Sequence, residues 1–237
     1  MMPRIPRQLH WIWLGGEPLP ERDQIWMQSW RKHHPFWNCI IWAETPSEVE
    51  LEGFETRALP SLVNQHLYDG IEQWVRGKAI LAARSDLIRL EIIARYGGVY
   101  LDTDVECFRN IEILLEDTTL FVADGWGAGQ CNYMFGAIAN HPALWTSVRE
   151  LGPHLSSCRH QLNPVQATGP DYLNPKLRLS PDLIIFPHQL FNPLDARDDP
   201  RWVTRWPQCS YGNHHFDGKW LHYTASKKLP PDEFRGN

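Results

Sequence analysis

KAILAARSDLIRLEIIARYGGVYLDTDVE, residues 78–106, is the stretch on which the fold reading turns. From Lys78 to Tyr96, apolar residues at 80, 81, 87, 88, 92 and 93 recur at the spacing of an amphipathic helix, and Gly97-Gly98 supply its left-handed stop. Val99-Tyr100-Leu101 follows as a short strand, and Asp102-Thr103-Asp104 follows the strand. Carboxylates at the carboxyl end of a strand lie where α/β sheets place their ligands. If the strand continues, both point to one face; if it turns into a loop, the two can flank one divalent cation. Hard oxygen ligands suit Mg²⁺ or Mn²⁺, with substrate phosphates and water completing the shell. Taken alone, such a pair is more often an ordinary exposed turn. Asp86 and Arg89 stand three apart on the helix, where the plain reading is an intrahelical ion pair and the functional one a share in the same site.

Working outward, Gln8 to Leu14 (QLHWIWL) is apolar on both parities, the pattern of a strand covered on both faces. Gly15-Gly16 ends it, and Glu17-Pro18-Leu19-Pro20 makes a turn-rich connection. Gln24 to His33 has helical spacing and Trp37 to Trp42 reads as a second strand, which makes a unit of the size of βαβ. The glutamate-rich stretch 45–57 reads as solvated and irregular. Further strands are expected at Thr119–Ala123, Tyr133–Ile138 and Leu183–Phe186, with a helix after Asn140-His141-Pro142. This alternation predicts an α/β sandwich with a mainly parallel sheet. No repeat or low-complexity linker interrupts it, so one domain over 1–237 is expected.

The 237 residues are 43% hydrophobic and 22% charged with net charge −5, which excludes a disordered chain and lacks the basic face of a nucleic-acid binder. No apolar run reaches the length of a spanning helix, and Met1-Met2-Pro3-Arg4-Ile5-Pro6 lacks the apolar core of a signal peptide. Five scattered cysteines (Cys39, Cys107, Cys131, Cys158, Cys209) argue against a disulfide scaffold or zinc knuckle and for a reducing, cytoplasmic setting. Tryptophan is over-used: 12 residues, of which Trp11, Trp13, Trp26, Trp30, Trp37 and Trp42 fall in the first 42. Each is a core candidate first and a stacking platform second. Trp13, beside Gly15-Gly16, is where a backbone can approach a ligand and an indole can stack on a base. Near the C-terminus, Tyr211 to Trp220 carries His214, His215 and Asp217, able to ligate metal or bind a diphosphate, or simply to sit in a polar surface loop.

The run SDLIRLEIIARYGGVYLDTDVE resembles the signature of the D-x-D sugar transferases of glycosyltransferase family 32, which include the Och1-type mannosyltransferases, and is similar to the catalytic core of the clostridial glucosylating toxins. Other blocks follow in the same order: Ile5-Pro6 with His10 to Gly16, Ser29-Trp30 through Pro35 to Trp42, Asn132 before His141-Pro142, Thr168-Gly169-Pro170, and His214-His215-Phe216 through Trp220. The likeness runs over about residues 5–222.

The resemblance implies a GT-A fold, a retaining mechanism, and a UDP- or GDP-sugar donor held through Mn²⁺ or Mg²⁺. By the same resemblance Trp13 stacks on the nucleobase at the Gly15-Gly16 edge, while Asp86 and Arg89 contact donor sugar and phosphates. Asp102 contacts sugar hydroxyls and metal, Asp104 is the main protein ligand to the ion, and Asn132 lies near the reacting sugar. The closing loop, with His214, His215 and Trp220, folds over the diphosphate, and His214 is a further candidate metal ligand. Two positions depart from the family pattern: Lys219 replaces a serine and Phe216 a tryptophan. The acceptor is expected to be a glycan, lipid-linked or protein group, with peripheral membrane contact open and nucleic acid excluded. The competing readings are a haloacid-dehalogenase-type phosphotransferase, which also places D-x-D after a strand, and a tryptophan-rich carbohydrate-binding module.

Overall fold

A computed structural model describes residues 4–125, 132–158, 162–193 and 208–216. In chain order the elements are β1 (Gln8–Trp13), α1 (Glu21–His33), β2 (Asn38–Ala43), β3 (Glu55–Ala58), α2 (Gln65–Asp69), α3 (Ala79–Tyr96), β4 (Gly98–Leu101) and β5 (Val105–Cys107). They continue with β6 (Leu120–Ala123), β7 (Met134–Ala137), α4 (Pro142–Ser157), α5 (Pro164–Ala167), α6 (Pro170–Leu177), β8 (Leu183–Phe186), α7 (His188–Phe191) and β9 (Gly212–His214). Helices covering a seven-stranded sheet of order β3-β2-β1-β4-β7-β6-β8 make the expected α/β architecture. Only β7 runs against its neighbours, β4 and β6; the other neighbouring pairs are parallel. A small second sheet joins β5 and β9 antiparallel.

This topology gathers distant residues at one edge. Strands β1, β2 and β4 are mutually parallel, with Trp13 level with Ala43, so Gly15, Glu44 and Asp102 all follow strand ends on the same side. Because β7 is antiparallel, its amino end arrives there too: Leu101 faces Met134 and the Asp102 amide donates to Tyr133 O at 2.8 Å. That places Asn132 beside the D-x-D.

Two expectations need adjusting. The stretch 45–57 is not wholly irregular, because Glu55 enters β3, which pairs with β2 from Ile40↔Glu55 onward. As the sheet's edge strand it keeps polar side chains in solvent, and so shows no apolar run. The helix expected over 78–96 is not amphipathic throughout: Leu81 is exposed, while Asp86 to Ala94 is buried on every side, with α4 and α5 packed against it. Asp86, Arg89 and Glu91 therefore enter the interior, where each needs partners. Glu91 finds them in the Val63 and Asn64 amides, at 2.6 and 2.9 Å. As for the tryptophans, Trp11, Trp26, Trp30, Trp37 and Trp42 are buried, and Trp13 is half-buried at the end of β1.

The Gly97-Gly98 stop is sterically enforced. Both glycines have positive φ, +66° and +94°. A Cβ at Gly98 would lie 2.7 Å from the Gln8 carbonyl oxygen and 2.9 Å from His10 Nε2. Gly98→Ala is expected to cost about 3 kcal/mol or more, from backbone strain plus overpacking, read as a lowered denaturation midpoint. A loss below ~1 kcal/mol would show that β1 and β4 are less tightly apposed.

His10 is fully buried as a neutral ring: Trp42 Nε1 donates to its Nδ1 at 3.1 Å, and its Nε2–H donates to Gly97 O at 3.1 Å. Burial lowers its pKa to about 4, against the pull of the Gly97 hydrogen bond. A folded pKa below the unfolded one gives stability that is complete above pH ~6.5 and lost as pH falls toward ~4. His10→Gln keeps one donor and one acceptor without titrating. Between those pH values, wild type should lose about 3 kcal/mol more than the variant in chemical denaturation. Equal losses would contradict a neutral buried His10.

Candidate active site

Helix α3 presents Asp86 and Arg89 toward the end of β4, and both are buried. Both Asp86 oxygens are engaged: Asn132 Nδ2 donates to Oδ1 at 2.7 Å and Thr168 Oγ1 to Oδ2 at 2.8 Å, with Arg89 Nε 3.4 Å from Oδ1. Burial pushes this carboxyl up to about 6, against the Arg89 charge and the hydrogen bonds from Thr168 and Asn132.

Arg89 is the hub. Its Nη1 donates to Asn132 O at 2.7 Å and pairs with Asp102 Oδ1 at 3.1 Å, while Nη2 reaches Ser85 Oγ at 3.1 Å. Its guanidinium also lies over the Tyr100 ring at 4.3 Å. Burial works against the Arg89 charge, but Asp102 foremost, with Tyr100, Asp86 and Asp104, raises its pKa above the ordinary value. The side chain thus stays a cation in an interior position.

Strand β4 ends at Leu101, and 102–104 turn before β5, so the loop alternative holds for the two carboxylates. Asp102 accepts from Tyr100 Oη at 2.6 Å; burial raises its pKa, opposed by Arg89. The intervening Thr103 donates to Asp23 Oδ2 of α1 at 2.5 Å, which tethers the turn. Antiparallel pairing of Val105 with His214 then carries the imidazole alongside. His214 Nε2 is 3.3 Å from Asp104 Oδ1, and its ring lies between Tyr133 (4.3 Å) and Phe216 (4.2 Å). Asp102, Asp104 and His214 each offer one ligand atom, all within 4.8 Å of one another.

At the neighbouring edge, Trp13 Nε1 donates to Glu17 O at 2.6 Å. The Gly15 amide donates to Glu44 Oε2 at 3.0 Å, and Tyr68 Oη donates to Glu44 Oε1 at 2.8 Å. Gly15 and Gly16 have φ of +94° and +68°, and a Cβ at Gly15 would crowd Leu81 of α3 at 3.1 Å. His215 is not in the three-ligand cluster, because its ring turns to Trp26. Trp220, Lys219 and Asp217 lie outside the described residues.

Known proteins resemble this chain in sequence and in fold. Residues 20–121 match the family described as "Glycosyltransferase sugar-binding region containing DXD motif". The matched stretch is under half of the chain and includes Asp102-Thr103-Asp104. Inositol phosphoceramide mannosyltransferase 1 of Schizosaccharomyces pombe is 28% identical over 153 residues, 63% of this chain and 44% of that protein. The chain thus spans less than half the length of this curated relative. Among solved structures, the PaToxG glycosyltransferase superposes with TM-score 0.58 at 16% identity, covering 75% of this chain and 70% of the other. The UDP-bound glycosyltransferase domain of the YGT toxin gives 0.53 at 11% identity, with coverages of 78% and 80%. The fold is therefore the GT-A fold of glycosyltransferase domains.

In this D-x-D region the donor set fits a divalent ion. Two carboxylates balance its charge, the imidazole supplies a nitrogen, and His214 Nδ1 is buried without a hydrogen-bond partner among the described residues. Sequence reading missed two contributors. In the sequence Tyr100, two residues before Asp102, reads only as strand, and Thr168 only as part of a block of the family resemblance. Only the fold reveals that their hydroxyls hold Asp102 and Asp86.

Proposed function

We propose that the chain is a metal-dependent, retaining glycosyltransferase that moves a hexose from a UDP- or GDP-sugar to a glycan, lipid-linked or protein acceptor, acting as one catalytic domain. The observation that carries this reading is the convergence of Asp102, Asp104 and His214 within 4.8 Å beside the Asp86–Arg89 pair. A haloacid-dehalogenase-type enzyme or a carbohydrate-binding module accounts for neither that convergence nor the family match.

Asp102, Asp104 and His214 would hold the ion, which when bound supplies Lewis-acid stabilisation to the charge growing on the departing diphosphate. Arg89 adds a fixed positive charge next to Asp102, already oriented and needing no reorganisation. Asp86, aimed by Asn132, Thr168 and Arg89, keeps lone pairs in fixed directions for sugar hydroxyls. Trp13 offers a flat face to the base, and Gly15-Gly16 let the backbone come close. Arg89 and the Asn132 amide engage Asp86, Arg89 and the Tyr100 hydroxyl engage Asp102, and the His214 ring lies beside Asp104. The retaining course, in which the departing diphosphate takes the acceptor's proton, is what the resemblance to the D-x-D sugar transferases implies.

Thermal-shift measurements with UDP- and GDP-sugars, with and without MnCl₂, test the donor assignment. One donor class should stabilise the protein only when the metal is present, by about 3 kcal/mol at a hundredfold excess over Kd. No stabilisation by any of them would count against the proposal.

A further inference from the structure

Strand β9, which delivers His214, is three residues long, and among the described residues its ladder joins it to β5. A two-stranded ribbon of this length is marginal by itself, so the direction of the His214 ring depends on what anchors the backbone around it. The anchors lie on the next residue. The His215 amide donates to Asp104 O at 2.9 Å. Its ring stacks on Trp26 of α1 with centroids 4.1 Å apart and planes 12° apart, and its Nε2 lies 2.9 Å from Glu106 Oε2. Trp26 is itself buried, with the Arg22 guanidinium 5.0 Å from its ring. Immediately beyond, Phe216 takes a φ of +51°, folding its own ring back onto His214. Successive side chains of an extended segment point to opposite sides, so seating His215 against α1 turns His214 toward Asp102 and Asp104.

We infer that His215 is a positioning residue for the metal centre, clamped by Trp26 and Glu106 so that His214 faces the D-x-D carboxylates before an ion arrives. This rests on the reading of Asp102, Asp104 and His214 as the metal site, and goes beyond it by assigning the second histidine to α1 rather than to the diphosphate. The clamp acts on the ligand's orientation, so its loss should lower metal affinity and spare the chemical step at saturating metal.

Titrating MnCl₂ into the full chain, followed by electron paramagnetic resonance without nucleotide, tests this. His215→Ala should weaken Mn²⁺ binding by about ten- to a hundredfold, the range typical of residues that orient a metal ligand. Glu106→Gln keeps the size of its side chain and should weaken binding less, with an unchanged denaturation midpoint. In turnover, His215→Ala should raise the KM for Mn²⁺ while kcat at saturating Mn²⁺ stays within about threefold of wild type. If wild type binds Mn²⁺ and both variants bind it equally well, the positioning role is refuted and the metal site stands. A wild-type chain that binds no Mn²⁺ would sink the three-ligand reading and this inference together.

Discussion

Asp104→Asn should abolish sugar transfer, by at least about a thousandfold in kcat/KM, in a protein that remains folded. A thousandfold loss corresponds to about 4 kcal/mol of transition-state stabilisation, the scale of the Lewis-acid contribution assigned to the site. The substitution keeps the side chain's shape and leaves the backbone carbonyl that accepts the His215 amide untouched. What it removes is the negative charge of one of the three residues proposed to hold the ion. Metal-dependent stabilisation by the donor should vanish along with turnover, whereas the denaturation midpoint without metal should stay near wild type. A variant within tenfold of wild-type activity would remove Asp104 from the centre of the mechanism.

Arg89→Met carries the largest expected effect on stability. The guanidinium is buried, bridges Asp86 and Asp102, and holds the Asn132 carbonyl. Replacing it by an apolar chain of similar length leaves two carboxylates without their cation, one of them already pushed up to about 6 by burial. Removing one partner from a buried ion pair typically costs 3–5 kcal/mol, so a loss of about 4 kcal/mol is expected in urea denaturation. Against a total stability of typically 5–15 kcal/mol this is severe, but it leaves a protein that can be measured. Adding Asp86→Asn should recover part of the loss, because it removes one of the stranded charges. A destabilisation below ~1 kcal/mol, or strict additivity of the two changes, would show that water or other groups compensate these carboxylates.

How much of this was legible in the sequence varied with the range of the interaction. The α3-to-β4 unit was readable because local signals agree there: a helical run, two glycines whose φ is positive, and an apolar strand that stops at Asp102. The parallel sheet followed from alternation of similar units. The edge strand β3 was not readable, since its polar residues carry no apolar pattern, and neither were β5 and β9, each three residues long and paired over about 110 residues of chain. Their pairing is nevertheless what brings His214 to Asp104. The resemblance named both histidines together, yet the fold separates them: one ring faces the D-x-D and the other stacks on Trp26. Trp26 illustrates the same limit. Composition marked it as core, and it is core, but which ring it would support depended on a partner 189 positions away.

In the proposed sugar transfer, an ion at Asp102, Asp104 and His214 handles the charge of the leaving diphosphate. The most direct test is release of nucleoside diphosphate from a panel of UDP- and GDP-sugars by the full chain, in MnCl₂ and again with excess chelator. The account predicts release from one donor class in Mn²⁺ and none in chelator. Equal release in both, or release from no donor in either, would contradict it.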